Sequence, residues 1–205
     1  MPVARPFVIG LTGSIGMGKT ETARLFAAEG VPVFDADAVV HDLYAGEAAT
    51  MIEAAFPGTT KNGAVDRGAL AQRVTADAAA FKRLESLMHP LVAARKAEFL
   101  ADNKAAPIVV LDIPLLLETG EKVDAVVVAT APPDVQRARV LARPGMTQAK
   151  FKALLARQMS DAEKRAQAHY LVMTDQGLDH AREQVKMILA DIQRRLREQE
   201  PQRKK

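Results

Sequence analysis

A glycine-rich stretch near the start of the chain, GLTGSIGMGKT at residues 10–20, carries the clearest chemical signal. Gly13, Gly18, Lys19 and Thr20 match the spacing G-x-x-x-x-G-K-[ST], with an apolar run before them and a helix-like segment after them. Glycine inside a regular element costs about 1 kcal/mol relative to alanine, so the cluster indicates a close neighbour of the backbone. Backbone N–H groups and the positive end of a following helix suit phosphate oxygens, which predicts a bound nucleoside triphosphate.

The side chains at the end of this loop have separate expected roles. Lys19 is expected to lie across the β- and γ-phosphates, and the Thr20 hydroxyl is expected to bind a magnesium ion. A second magnesium ligand is predicted at Asp112, which ends an apolar run in IVVLDIPLLLE; a polar start to the following loop is the alternative. The expected phosphate-binding residues are Gly13, Ser14, Ile15, Gly16, Met17, Gly18, Lys19 and Thr20.

Two aspartates follow the second apolar run of the chain, in VPVFDADAVVHDL. Because parallel strands share a carboxyl edge, we expect Asp35 and Asp37 at the same edge of the sheet as the glycine-rich loop at residues 13–20, called the phosphate loop below. A carboxylate there can orient an acceptor hydroxyl and take its proton during phosphoryl transfer. An aspartate in this position can instead cap the N-terminus of a helix. We expect the two residues to divide these roles.

Phosphate binding alone leaves several classes of nucleotide-binding protein open. A GTPase would require a guanine-selective N-K-x-D loop, and the sequence contains no such string. A motor ATPase would require a larger assembly domain than 205 residues provide. A small-molecule kinase remains, together with a regulatory protein that binds a nucleotide without turnover.

Five short apolar or β-branched runs alternate with longer polar or helix-like segments. Such runs indicate strands of a parallel sheet that is covered on both faces. The sequence therefore predicts an α/β fold with a five-stranded parallel sheet sandwiched by helices. The runs are residues 7–11, 31–34, 108–111, 125–129 and 170–173.

Two insertions interrupt this alternation. Residues 36–107 show helix-like patterns and no convincing strand, which predicts a helical substrate subdomain at about residues 36–105, at the carboxyl end of the sheet. Residues 143–165 are polar, basic and helix-like, with Thr147 as a possible helix cap, which fits either a mobile lid or a surface helix pair. The expected single domain spans residues 1–205, with a core of 1–35, 106–142 and 166–200 and a basic tail at 201–205.

Composition and charge exclude several kinds of site. The chain has no cysteine, which rules out disulfides, thiolate metal ligands and cysteine nucleophiles and fits a reducing cytoplasm. The net charge is +3, and residues 193–205 contribute +4, which leaves about −1 for the rest of the chain and gives no case for a nucleic-acid-binding body. We expect the basic tail to be a solvated helix end; contact with nucleic acid or acidic lipid is the alternative. No apolar run reaches the ~20 residues of a membrane span, and the N-terminus lacks a signal-peptide pattern. We expect a soluble cytoplasmic protein, with a monomer favoured.

These motifs together resemble those of the dephospho-CoA kinase family, from residue 8 to about residue 184. The similar segments are GLTGSIGMGKT, LFAAEGVPVFDADAVV, VDRGALAQRV with LMHPLV, LDIPLLLE, QRARVLAR and RQMSDAEKRAQAHYLV. The phosphate loop is shared by a large superfamily, whereas the combination of D-A-D, H-P and P-L-L-x-E is far more specific. The resemblance implies a P-loop kinase-like fold and magnesium-dependent transfer of the γ-phosphoryl group of ATP to the ribose 3′-hydroxyl of 3′-dephospho-CoA.

The resemblance also implies catalytic roles beyond that of Lys19. Asp37 is the implied general base, and Asp35 is a reserve candidate that contacts the substrate. Arg139 and Arg143, which follow Gln136 in Q-x-x-R-x-x-x-R, resemble arginines that lead into the lid and stabilise charge on the phosphates. A planar guanidinium suits that work, and a solvated helix face is the alternative for both arginines.

The inserted segments carry the weaker candidates. Arg67 and His89 are implied substrate contacts, and the His-Pro pair at residues 89–90 is expected to end a helix near the bound coenzyme. The other histidines show no spacing that would make His89 a metal ligand. Arg157 and Arg165 are further candidates for the closing lid.

The sequence departs from the family pattern at four of these positions. Ser14 and Met17 stand where the family more often has glycine and serine. His169 and Thr174 stand where the family commonly has aspartate and asparagine. The reaction implied by the resemblance is unchanged, and the contacts at the adenine end of the nucleotide are left open.

Overall fold

The structure is a computed structural model that describes residues 5–75 and 77–199. The strands are β1 Phe7–Thr12, β2 Val33–Asp35, β3 Thr60–Lys61, β4 Ala64–Val65, β5 Ile108–Asp112, β6 Ala125–Thr130 and β7 Tyr170–Met173. The helices are α1 Lys19–Ala28, α2 Ala36–Ala45, α3 Ala49–Ala55, α4 Arg67–Thr75, α5 Ala78–Asp102, α6 Leu116–Thr119, α7 Pro133–Leu141, α8 Gln148–Leu155, α9 Asp161–Ala166 and α10 Leu178–Gln199.

Five of the strands form one parallel sheet in the order β2-β5-β1-β6-β7, which confirms the predicted fold class. Each of the five apolar runs overlaps one of these strands. The central strand β1 pairs with β5 on one side and with β6 on the other. The chain order changes direction at β1, and open α/β sheets bind their ligands at the carboxyl end of such a strand. The glycine-rich loop lies at this point.

Strand β6 shows how the sheet is covered on both faces. Val127 packs with residues of α1 and α10, including Phe26 and Val185. Its neighbours Val126 and Val128 pack instead with residues that include Leu116 of α6. Successive side chains of a strand point to opposite faces, so a fully apolar strand needs a cover on each side.

The chain forms two compact units, one of Met1–Phe34 with Asn103–Lys205 and the other of Asp35–Asp102. The second unit has its own apolar core, in which Leu43, Ile52 and Leu70 are buried. Within the described ranges, no helix has both the length and the apolarity to cross a bilayer. The expected basic tail at residues 201–205 and the last residue of the expected core lie outside the described residues.

The expectation of no strand between residues 36 and 107 is wrong. Strands β3 and β4 form a short antiparallel hairpin, with Thr60 opposite Val65 and Lys61 opposite Ala64. The turn between them consists of Asn62 with φ +53° and Gly63 with φ +79°. An Asn-Gly pair with two positive φ angles is the preferred two-residue hairpin turn, so the Asn-Gly dipeptide was the signal that could have predicted it.

The expectation that the His-Pro pair ends a helix is also wrong, because Pro90 lies inside the 25-residue helix α5. Proline removes one helical hydrogen bond and costs about 3 kcal/mol in a helix interior. Apolar contacts hold both halves of α5 to one core: Met88 before the proline is buried there, and Leu91 and Val92 after it pack against the same cluster. Tertiary packing therefore overrides the local preference for a helix end.

The segment after α7 begins as its residues predict. Gly145 adopts a left-handed φ of +72°, and the Thr147 side chain caps α8 by accepting a hydrogen bond from the Lys150 N–H at 3.2 Å. Phe151 is the buried residue of α8. Helix α9 starts with a capping box in which Ser160 and Glu163 bond each other's backbone N–H groups.

Candidate active site

The loop between β1 and α1 has the backbone form that phosphate binding requires. Gly16 and Gly18 have φ angles of +79° and +87°, which side chains rarely tolerate. Gly13 approaches the neighbouring strand β6 so closely that an added Cβ would lie 2.7 Å from the carbonyl oxygen of Ala129. Gly18 precedes α1 without a side-chain cap, so the helix presents its first N–H groups at the end of the loop.

Lys19 and Asp112, predicted separately from two distant motifs, are brought into contact. The Lys19 Nζ donates to Asp112 Oδ1 at 2.7 Å, and the two side chains are 14% and 2% exposed. Asp112 ends β5 directly beside Leu11 of β1, so strand pairing fixes the carboxylate next to the loop. A pair this deeply buried holds the ammonium group in one place.

The two predicted magnesium ligands supply oxygen atoms only. Thr20 is exposed in the first turn of α1, and Asp112 is buried at the end of β5. In the part of the chain that the structure describes, no group of three or more His, Cys, Asp or Glu side chains could hold a metal ion. Magnesium binds through one or two protein oxygens and takes its remaining ligands from phosphates and water, so this donor set fits that ion.

Two glutamines hold the loop residue Ile15 from both sides. The Gln136 Nε2 of α7 donates to the Ile15 carbonyl oxygen at 2.8 Å. The Ile15 N–H donates to Gln158 Oε1 at 3.2 Å, from the segment after α8. Sequence reasoning noted Gln136 only as part of a motif and gave Gln158 no role.

Arg139 and Thr174 form a second set of contacts with the loop. Arg139 donates from Nη1 to Thr174 Oγ1 at 2.8 Å and from Nη2 to the Thr174 carbonyl oxygen at 2.6 Å. The same Nη1 lies 3.5 Å from the Gly16 carbonyl oxygen. The Thr174 hydroxyl in turn lies 2.9 Å from the Met17 carbonyl oxygen. The other predicted arginines, Arg143, Arg157 and Arg165, have exposed side chains.

Met17 and His169 have local hydrogen-bond partners, whereas the Ser14 side chain has none among the described residues. Met17 is 2% exposed, and its Sδ accepts a hydrogen bond from the Ala131 N–H at 3.2 Å. His169 extends the pairing of β6 and β7, because its Nδ1 accepts from the Val126 N–H and its own N–H donates to the Val126 carbonyl oxygen. The buried Ser14 Oγ forms no hydrogen bond with another described residue.

The segment that follows Gln158 is tied to the sheet and to α6 by carboxylates. Glu118 Oε1 accepts from the Lys164 Nζ at 2.7 Å and from the Met159 N–H at 2.9 Å. Burial raises the pKa of Glu118, but the hydrogen bonds from Lys164 and Met159 outweigh this effect. The pKa of Glu118 therefore lies below its usual value. Asp161 accepts from the Thr130 hydroxyl of β6 at 2.8 and 3.0 Å.

Within the unit Asp35–Asp102, the remaining predicted residues lie in three helices or, for Asp35, directly before one. Asp35 caps α2 by accepting from the Ala38 N–H at 3.0 Å, which confirms that one of the two aspartates is a helix cap. Asp37 is exposed in the first turn of α2, and its carboxylate forms no hydrogen bond with another described residue. Arg67 starts α4 and His89 lies inside α5, both exposed.

Comparison with known proteins gives a consistent result. The model of the dephospho-CoA kinase family matches residues 7–180. A dephospho-CoA kinase of Rhodopseudomonas palustris strain BisB18 is 59% identical over 187 residues, which is 89% of this chain and 94% of that protein. A dephospho-CoA kinase of Bradyrhizobium diazoefficiens is 58% identical over 189 residues, 90% of this chain and 95% of that protein. The chain belongs to the dephospho-CoA kinase family.

Solved structures extend the likeness to the fold. A Thermus thermophilus protein is 34% identical and superposes with a TM-score of 0.81, covering 91% of this chain and 98% of that one. The dephospho-CoA kinase of Campylobacter jejuni is 23% identical with a TM-score of 0.64, covering 90% and 96%. Members of the dephospho-CoA kinase family are ATP-dependent phosphotransferases, so the chain is a kinase, as the motifs predicted.

Proposed function

We propose that this chain transfers the γ-phosphoryl group of ATP to the ribose 3′-hydroxyl of 3′-dephospho-CoA, giving CoA and ADP in the last step of coenzyme A biosynthesis. The observation that carries this proposal is the family match over residues 7–180, a range that includes the phosphate loop and both aspartates of D-A-D. The buried pair of Lys19 and Asp112 supports it, because phosphoryl transfer relies on positive charge held at the phosphates.

In this proposal the phosphate loop binds the β- and γ-phosphates through its N–H groups, and Lys19 lies across them. Asp112 holds the ammonium group through their 2.7 Å contact. Arg139 of α7 lies beside the Gly16 carbonyl, and Arg143 follows that helix. Both arginines add positive charge that stabilises the transferring group. Asp112 and Thr174 hold the charges of Lys19 and Arg139 in place, and charges that are already fixed need no reorganisation during the reaction.

Thr20 and Asp112 are the residues that we propose hold magnesium. The bound ion would neutralise charge on the β- and γ-phosphates. The hydroxyl of Thr20 is exposed at the helix start and the carboxylate of Asp112 lies at the end of the neighbouring strand, and both are hard oxygen donors of the type magnesium prefers.

Asp37 is the proposed general base. Its carboxylate is exposed and uses no described residue as a partner, so either oxygen can accept the hydrogen bond that an incoming ribose hydroxyl donates. Phosphoryl transfer has a loose transition state, so Asp37 chiefly orients the hydroxyl and takes its proton late. Asp35 keeps the first turn of α2 in place through its cap.

The remaining segments are assigned to substrate binding and closure. We propose that the helical subdomain at residues 36–105 binds the coenzyme, with contacts from Arg67 and His89. Residues 143–165 form the proposed lid, to which Arg157 and Arg165 belong; closure would exclude water and limit ATP hydrolysis. We further propose a monomer that binds neither nucleic acid nor membranes, and a cytoplasmic location, for which the cysteine-free composition is the support.

The test is an acceptor comparison with the purified protein, ATP and magnesium. ADP release is measured with 3′-dephospho-CoA, AMP, shikimate, gluconate or no acceptor, and the product is identified by mass. We expect CoA from dephospho-CoA alone, and omission of magnesium to abolish the signal. Turnover with a different acceptor would overturn the proposed substrate, and ATP binding without turnover on any acceptor would favour a regulatory role.

A further inference from the structure

Thr174 lies at the first position after β7. Its N–H donates to the Thr130 carbonyl oxygen at 3.0 Å, which places the residue at the carboxyl end of the sheet. Its hydroxyl lies 2.9 Å from the Met17 carbonyl oxygen and 3.3 Å from the Thr130 carbonyl oxygen. One threonine thus reaches both the sheet and the phosphate loop.

The same threonine also fixes a guanidinium group. Its hydroxyl oxygen and its carbonyl oxygen accept from Nη1 and Nη2 of Arg139, at 2.8 and 2.6 Å. Two bonds from one planar group set the orientation of that group as well as its position. Oriented in this way, Arg139 has its Nη1 3.5 Å from the Gly16 carbonyl oxygen.

The packing at Gly18 shows how closely this cluster is fitted to the loop. A Cβ added at Gly18 would lie 2.9 Å from two side-chain atoms of Thr174. The hydroxyl therefore meets the loop where its backbone has a φ of +87°. In a phosphate-binding loop the peptide N–H groups point toward the anion, so partners for the carbonyl oxygens on the opposite side hold the peptides in that orientation.

We propose that Thr174 is a positioning residue for phosphate binding. It holds the peptide between Met17 and Gly18 through the Met17 carbonyl oxygen, and it orients the Arg139 guanidinium beside the loop. This inference rests on the proposed nucleotide site, and it assigns Thr174 to the phosphate end of that site and not to the adenine base. Thr174 acts through the loop and Arg139, and the group that these two bind is the polyphosphate of a nucleotide.

The experiment replaces Thr174 by valine, which keeps the shape and removes the hydroxyl, and by serine, which keeps the hydroxyl. Binding of ADP is measured by calorimetry, and kcat and KM are measured for ATP and for dephospho-CoA. We expect Thr174→Val to weaken ADP binding and to lower kcat/KM for ATP by about 10- to 100-fold, the effect of losing hydrogen bonds that involve a charged group. Thr174→Ser should stay within about threefold of the unchanged protein, and KM for dephospho-CoA should stay within about twofold in both.

Thr22→Val is the matched control. Thr22 is 1% exposed, and its hydroxyl also bonds a loop carbonyl, that of Gly18, at 3.1 Å. That carbonyl keeps a second bond from the Thr22 N–H at 3.0 Å, so loss of the hydroxyl should change ADP binding by less than about threefold. If the valine variant of Thr174 does not fold, Arg139→Lys, which cannot make both bonds to Thr174, serves as the second variant and should weaken ADP binding in the same range.

Unchanged ADP binding in Thr174→Val would overturn the inference. Equal losses in the valine and serine variants, or a comparable loss in Thr22→Val, would also overturn it, because the effect would then be general destabilisation. The ADP measurement needs no acceptor substrate. A protein that makes no CoA would therefore refute the proposed function while the positioning role of Thr174 is still tested.

Discussion

Two groups of candidate site residues differ in burial and in hydrogen bonding. One group surrounds the phosphate loop, and the other lies in the unit Asp35–Asp102. Near the loop, Lys19 and Asp112 are mostly buried and bonded to each other. In the helical unit, the side chains of Asp37 and His89 are exposed and form no hydrogen bond with another described residue. The loop is therefore preorganised by the protein itself, whereas the side chains of the candidate substrate residues are available to a ligand. Loss of a loop residue should affect stability and nucleotide binding together, and loss of an exposed residue should affect catalysis alone.

Asp37→Asn tests the exposed side of this comparison and should have the largest effect on turnover. Removal of a general base lowers kcat by about 10²- to 10⁴-fold, and ADP affinity and the melting temperature should stay unchanged because the carboxylate holds no other described residue. Steady-state kinetics, calorimetry and thermal unfolding measure the three quantities. Asp42→Asn, an exposed aspartate on the same helix, is the control and should keep near-normal kcat. Near-normal turnover in Asp37→Asn would show that another group is the base.

Lys19→Met tests the buried side and should show losses of two kinds. We expect kcat/KM for ATP to fall by about 10²- to 10³-fold, since a fixed charge at the phosphates is lost. The free energy of unfolding should also fall, by about 1–3 kcal/mol, because the 2%-exposed carboxylate of Asp112 loses its ammonium partner. Urea unfolding measures the second effect.

Lys186→Met supplies the control for that unfolding experiment. Lys186 pairs with Glu183 on an exposed helix face, where solvent screens the attraction, so loss of this pair should leave urea unfolding almost unchanged. A variant at Lys19 that unfolds like the unchanged protein would remove the contrast between the two regions, because the buried pair would then serve nucleotide binding only.

Asp124→Asn gives the smallest expected effect and concerns stability away from the loop. Arg5 and the Val8 N–H bond the Asp124 carboxylate, and mainly the Arg5 contact holds its pKa below the usual range. Because the folded-state pKa is lowered, the stabilisation is complete above the unfolded-state pKa and is lost as the pH falls through the folded-state pKa. The variant should therefore be less stable by about 1 kcal/mol at pH 7, and the difference should shrink in strong acid.

Urea unfolding at several pH values between 7 and 2 measures this difference, with Asp37→Asn as the reference because that substitution removes no described contact. A deficit in Asp124→Asn that is the same at all pH values would contradict the ionic explanation. It would point to packing at the start of β1 as the source of the stability.

The apolar runs were sufficient to predict the five sheet strands, since a strand covered on both faces has to be apolar throughout. Local capping chemistry was similarly readable: Thr147 caps α8 and Asp35 caps α2. The hairpin at Asn62 and Gly63 was missed although its turn chemistry is local, because two-residue strands leave almost no apolar pattern. The continuation of α5 through Pro90 could not be predicted locally, since distant apolar partners hold it.

The sequence by itself determined the phosphate loop, the positions of the five sheet strands and the family of the chain. Glycine spacing and apolar runs can be read from a few neighbouring residues. Only the tertiary structure decided which groups hold that loop. Lys19 meets Asp112 across 93 residues, and Thr174 meets Met17 across 157. Contacts between residues so far apart in the sequence depend on strand order and register. Neither can be predicted from a short motif.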